Sequence, residues 1–362
     1  VLLALCSGCT GPVVRIGESS AAPPCFIALT NFARFQRAAD EPAGQMVLTS
    51  PTLLTPFAWD DLVVSWNARA PRGSGLKIDV RAFPPGRPTA FYTLGYWAED
   101  TADRPRESVR EQKDEDGDVE TDTLVLRRPA EGLQLRLTLS GTATGEFPEV
   151  RFLGLSFVRR GLGVPAGETP ATTAPRTLPV PERSQRSYPG GQDWCSPTSV
   201  SMVLAYWAEV LHRPDLNIDV PDVAAGVYDP VWPGTGNWPF NTAFAAARPG
   251  MRAYVTRLAN VSDLRELVAA GVPPILSVSF GLLHGKPEDA GSGHLVVCAG
   301  FAANGDIVVN DPWARPDQGD PVRRVVPLKR ALPAWAYSQN TVYLIYPEDW
   351  RLPPSRPGKS TH

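Results

Sequence analysis

The sequence predicts two structural classes in tandem: an all-β sandwich domain over residues 26–160 and an α+β domain over residues 180–350. Three observations carry this. Short runs rich in β-branched and aromatic residues, separated by Gly, Pro and Asp clusters, fill the first half. A stretch of Gly, Pro, Thr and Ala over 161–179 reads as a semi-rigid linker. Beyond it the pattern opens with helical periodicity and then turns to strands.

Composition narrows the chemistry. The chain of 362 residues carries 35 Lys+Arg against 38 Asp+Glu, a net charge of −3, so no basic stripe for nucleic acid stands out. With 38 Pro and 31 Gly, strands and loops are favoured over a long helical bundle. Five Cys and four His (His212, His284, His294, His362) argue against a multi-zinc protein. No metal or cofactor is expected.

The first residues, Val1 to Cys9, read as the end of a short apolar region followed by small residues, as in a secretory signal. Ser7-Gly8-Cys9 resembles the bacterial lipoprotein box, in which the cysteine is acylated; the other reading is a plain cleaved signal. Either implies export, to a secreted or cell-surface location, with the membrane met only through a lipid on Cys9. Residues 1–25 form this leader-like segment and 351–362 a tail. An exported chain can also pair two of Cys25, Cys195 and Cys298.

In the β half the expected strands are Leu62–Asn67, Leu76–Phe83, Phe91–Trp97, Thr121–Leu126, Leu133–Leu139 and Arg151–Val158. Leu133 to Leu139 alternates strictly, so one face packs and the other meets water. Asp114-Glu115-Asp116-Gly117-Asp118 is either a solvated turn or a calcium loop lacking the usual spacing. Trp66, Tyr96 and Trp97 are core aromatics or a platform for a cell-wall or glycan ligand.

In the α+β half, apolar residues at Val200, Val203, Leu204, Trp207 and Leu211 keep a helical period. A second helix is expected over 263–270, with Ser262 as N-cap and Gly271 past its end. Strands follow at Ile275–Phe280, Leu295–Phe301, Ile307–Asn310, Val322–Val326 and Thr341–Tyr346.

Three segments of this half fit one mechanism. Cys195 stands at the start of the first helix, with Pro197 in its first turn. A thiol there faces unpaired N–H groups and the positive end of the helix dipole, which favour the nucleophilic thiolate. His294 begins a strand after Gly291-Ser292-Gly293; His284, in Leu283-His284-Gly285-Lys286, is its rival. Ala302-Ala303-Asn304-Gly305 makes a hairpin turn, and counting back from it brings Asp311 near the level of His294. A carboxylate there accepts the histidine Nδ1–H and stabilises the imidazolium; Asn310 offers an amide instead, on the opposite face.

Cys195-Ser196-Pro197-Thr198-Ser199 before an apolar helix, then Gly293-His294-Leu295-Val296-Val297, a turn, and Val308-Val309-Asn310-Asp311-Pro312, resembles the bacteriocin-leader-processing-like (peptidase C39-like) branch of the papain-like cysteine peptidases. The resemblance covers residues 180–346 and implies a papain-like α+β domain. It implies Cys195 as nucleophile, His294 as general base and acid, Asp311 as orienting carboxylate and an upstream glutamine in the oxyanion hole. Gln185 fits the family's V-P-x-x-S-Q opening, with Gln192 the second choice; Ser196 departs from the usual glycine. Trp194, Trp232 and Trp238 are candidate walls of the substrate cleft; the other reading of the 228–241 loop is self-packing ahead of a helix capped by Asn241.

The expected function is therefore an exported cysteine peptidase or amide hydrolase working through a thioester, with a peptide or protein as substrate. Two other readings stay open: a catalytically inactive papain-like cell-surface binding protein, and a triad enzyme acting on cell-wall amide cross-links.

Overall fold

Alternating apolar residues turn the first half of the chain into a sheet. The computed structural model describes residues 24–161 and 175–353. Its first strands are β1 (Cys25–Leu29), β2 (Gln36–Arg37), β3 (Gln45–Thr49), β4 (Leu53–Arg69), β5 (Gly75–Ala82), β6 (Tyr92–Trp97), β7 (Gly117–Glu120), β8 (Thr123–Ser140) and β9 (Glu149–Val158). All pairings are antiparallel, in the order β1-β9-β4-β8-β3-β2, with β5 and β7 also on β8 and β6 on β5. The all-β reading therefore holds, but the strands belong to one connected sheet rather than two separate ones. The joint is β8, which pairs with β3, β4, β5 and β7 along its 18 residues.

The expected strand Leu133–Leu139 and all but the first two residues of Thr121–Leu126 are parts of this one strand. Pro129 lies between them and would break a regular ladder. Here the pairing of β4 with β8 slips between Trp59 and Asp61, where no ladder N–H is demanded of the proline.

Trp59, Trp66 and Trp97 are fully buried, so Trp66 and Trp97 are core aromatics with no face for a glycan. Tyr96 is half-buried beside Lys77. In the acidic turn, Asp114 accepts from the N–H groups of Asp116 and Gly117 and from the Tyr92 hydroxyl, while Asp116 pairs with Arg87 and Arg128. These carboxylates are spent on the turn, and among the described residues no cluster suited to a metal ion is found.

The second half adds β10 (Arg176–Thr177), β11 (Met251–Arg257), β12 (Ile275–Ser279), β13 (Gly293–Phe301), β14 (Ile307–Asn310), β15 (Arg323–Val326) and β16 (Thr341–Pro347). They form a sheet in the order β11-β16-β12-β13-β14-β15, with β10 on β13. Six helices accompany it: α1 (Cys195–Leu211), α2 (Val220–Val227), α3 (Trp238–Ala246), α4 (Val261–Ala269), α5 (Phe280–His284) and α6 (Leu328–Ala336). This is the expected α+β arrangement. Among the described residues no helix is long and apolar enough to cross a membrane.

Two caps differ from expectation. Asn260, not Ser262, caps α4, because its Oδ1 accepts from the N–H groups of both Ser262 and Asp263. Asn237, not Asn241, caps α3 by accepting from Phe240 N–H, while Asn241 lies within the helix and donates back to Thr235 and Asn237 carbonyls.

The two sheets share one core. Phe240 of α3 inserts between Trp66 and Trp97, with ring centroids 6.0 and 5.7 Å away, and Tyr254 of β11 stacks on Phe26 at 4.6 Å. Strand β11 ends its sheet, and its free edge is met by side chains: Asn67 bonds both the N–H and the C=O of Ala253, and Ser65 accepts from Val255 N–H. Arg257 reaches across to Asp61 and to the Ser156 carbonyl, while Gln339 donates to the other Asp61 oxygen. On the far side Asp122 accepts from Trp238 N–H at the start of α3, and burial pushes its carboxyl up to about 6.

Arg257→Ala would strand the buried Asp61 carboxylate. A loss of about 3–5 kcal/mol is expected, read by urea denaturation as one transition common to both halves. Separate transitions, of which only one moves, would contradict the shared core.

Candidate active site

Helix α1 is buried along most of its length, so it is fixed against the sheet; the Trp207 indole N–H donates to the Ile345 carbonyl. Its first residue is Cys195, half-buried, with Trp194 in the N-cap position and Pro197 in the first turn. The N–H groups of that turn have no carbonyl one turn earlier to bond, so they remain aimed past the helix end. Ser196 does not crowd them: its hydroxyl is buried and bonded to the Tyr343 hydroxyl at 3.0 Å.

Strand β13 brings His294 beside this helix end. Hairpin pairing of β13 with β14 through Ala302–Gly305 carries the chain back to Asp311, whose N–H is held by the Val322 carbonyl. The carboxylate is completely buried, and His294 is 3% exposed. Asp311 Oδ1 accepts from His294 Nε2 at 2.8 Å and from Trp313 N–H at 2.9 Å. The bond thus uses Nε2, where Nδ1 had been expected. The Cys195 thiol lies close enough to the His294 ring to act on its charge.

Sequence reasoning treated His284 as a rival of His294, and the structure makes it a partner. His284 Nε2 lies 2.8 Å from Asp311 Oδ2, and its Nδ1 lies 2.8 Å from the Phe280 carbonyl. Ser279 caps α5 through Leu282 N–H, and Gly285 ends it at φ +72°. Gly281 is needed because a Cβ there would meet the Lys286 carbonyl oxygen at 2.3 Å. No sequence periodicity marks so short a helix. The only signal was the histidine itself.

Burial alone would raise the Asp311 carboxyl, but hydrogen bonds from His284 and His294 reverse this and hold it well below the usual carboxylate range. Burial likewise opposes a charged His294, yet Asp311 and then Cys195 raise it to about 10. Arg324 adds positive charge, its Nε 3.8 Å from Asp311 Oδ2.

Asn310 points elsewhere: its amide donates to the Val180 and Pro181 carbonyls and its oxygen accepts from Arg323. Gln185 is buried on the approach to Cys195, its Nε2 donating to the carbonyls of Gly191 and Gln192 while Oε1 has no partner. Both amide hydrogens are thus engaged, and the side chain braces the turn before the cysteine. Gln192 turns its side chain to solvent.

Trp194 is half-buried near Tyr188, with centroids 6.5 Å apart. Trp232 is 47% exposed in its loop, which the Thr235 hydroxyl ties to the Asp193 carbonyl just before the cysteine. Trp238 is half-buried and begins α3. Cys25, Cys195 and Cys298 are all free thiols, so no pair forms; burial pushes Cys25 up to about 11 and Cys298 up to about 12. Cys9, the linker from 162 to 174 and the tail from 354 lie outside the described residues.

A cysteine at the head of a buried helix, facing a histidine on an antiparallel sheet, places this half of the chain in the papain-like class. Residues 177–343 match the model of the Peptidase_C39 like family, and residues 38–157 match one described as a peptidase C39 N-terminal domain. These two matches identify a C39-like domain over residues 177–343 behind a β-rich N-terminal domain over residues 38–157. It is similar to a solved protein of Bacillus anthracis described as a C39-like peptidase, at 15% identity and a TM-score of 0.36, over 48% of this chain and 98% of that one. No curated protein matches it.

The His294 value of about 10 lies above its ordinary 6.5, so the stabilisation it brings is complete below pH 6.5 and lost as pH rises through about 10. The difference in unfolding free energy between the wild type and His294→Gln is expected to be large at about pH 6 and to vanish above about pH 10. Urea titrations across that range check it; a gap that widens with pH would reverse the assignment.

Proposed function

We propose that the chain is an exported cysteine peptidase or amide hydrolase in which Cys195, His294 and Asp311 act as a triad. The observation that carries this reading is the His294 ring, hydrogen-bonded through Nε2 to a buried carboxylate and close to the Cys195 thiol.

The Cys195 thiolate attacks the carbonyl carbon of a peptide, and the carbonyl electron pair moves to oxygen. The Cys195 N–H, at the positive end of α1, stabilises that oxyanion. Gln185 supplies a second donor when one of its amide hydrogens turns from the Gly191 or Gln192 carbonyl to the substrate. The tetrahedral species collapses, the C–N bond breaks, and His294 gives its proton to the leaving amine. Water then loses a proton to His294 and attacks the thioester, releasing the acid and the free cysteine. Asp311 keeps the His294 ring oriented throughout and stabilises it when protonated. Trp194 and the exposed Trp232 flank the approach and offer apolar walls to a peptide.

Cys195→Ala is expected to abolish hydrolysis of fluorogenic peptides and iodoacetamide labelling at this position. Asp311→Asn is expected to lower kcat by about 10⁴-fold, as when a triad loses its orienting carboxylate. Hydrolysis that survives Cys195→Ala unchanged would sink the mechanism.

Export rests on the pattern of Val1 to Cys9. In a bacterial host the full chain is expected to incorporate labelled fatty acid, and Cys9→Ser to lose it. An unlabelled wild type found in the medium would point to plain secretion.

A further inference from the structure

We propose that His284 is a positioning residue for the Cys195–His294 pair: a doubly protonated imidazole on the second oxygen of Asp311, sharing the carboxylate's charge with His294. This rests on the triad read above and concerns a residue outside it.

The argument is one of donors and acceptors. Both ring nitrogens of His284 face oxygen atoms at 2.8 Å: the Phe280 carbonyl and Asp311 Oδ2. A carbonyl can only accept. Asp311 accepts as well, since its other oxygen already receives N–H bonds from His294 and Trp313. A neutral imidazole has a single N–H and would turn a lone pair on one of these two oxygens; only the imidazolium satisfies both. His284 is 17% exposed on its side chain, so water reaches it and its proton can be exchanged.

The packing fixes the ring planes. Phe280 lies over His284 with centroids 4.2 Å apart and meets His294 edge-on at 5.4 Å. The two histidine rings are 6.0 Å apart on one carboxylate. A positive charge at His284 therefore weakens the hold of Asp311 on the His294 proton and favours its transfer to a leaving group. Other charged groups lie in the neighbourhood: Arg324 of β15 is 3.8 Å from Asp311, Arg330 of α6 lies beside Gly285, and Lys286, Glu288 and Asp289 follow α5 in the chain.

The test is His284→Gln, which can keep an N–H donor on Asp311 without the charge, beside His284→Ala. The rate of iodoacetamide alkylation of Cys195, followed by the mass of its own peptide, is measured against pH. It is obtained whether or not a peptide substrate is turned over. Removing a nearby positive charge makes both the thiolate and the loss of the imidazolium proton less favourable. Both limbs of the profile in His284→Gln are thus expected to move up, by about one pH unit. Turnover in His284→Ala is expected to fall about 10- to 100-fold in kcat with little change in KM. A His284→Gln profile that superimposes on the wild type overturns the proposal, as does a rate loss with unmoved limbs. If His284→Ala fails to fold, the His284→Gln profile still decides.

Discussion

A carboxylate with no access to water must find all its partners inside the protein, and Asp311 is that group. Its two oxygens are met by two imidazoles, a backbone N–H and a more distant guanidinium. Each partner comes from a different element, so satisfying one side chain fixes α5, β13, the turn after β14 and β15 together. The short helix α5 exists at that place because Ser279 starts it, Gly285 stops it and Gly281 lets the returning chain close over it. The site is assembled around a charge that would otherwise be too costly to bury.

That assembly explains which parts of the site were legible beforehand. A cysteine at the head of an apolar helix, a glycine-led histidine and a hairpin turn are local signals, and counting along two strands was enough to pair His294 with Asp311. Alternation put Asp311 and Asn310 on opposite faces, so that only one could serve, and Asn310 does lie on the other face, holding the Val180–Pro181 segment. The atom was misjudged because sequence does not reveal from which side of the ring the strand delivers the carboxylate. His284 was beyond reach for a related reason: its role depends on β12 pairing with β13 so that the helix after β12 overhangs Asp311.

The β half shows the same division. Strand-forming runs and buried tryptophans were readable from composition and alternation. Their union in one sheet was not, since it turns on β8 passing through a proline where its partner is out of register. Strand β11 was missed as well, and α3 was expected only beyond Asn241. Their amphipathic pattern is weak because nearly every residue of β11 and α3 is buried, on one side by their own sheet and on the other by the N-terminal half. Elements covered on both faces lose the contrast on which periodicity depends.

The free edge of β11 has a consequence for the order of events during synthesis. Its backbone groups are answered by the side chains of Asn67 and Ser65, not by another strand. Those residues lie in β4, which leaves the ribosome long before β11 does. A sheet edge emerging alone is a template for the same edge of a neighbouring chain, and crowded polysomes hold many such neighbours. Here the newborn strand meets its cover already in place on its own molecule.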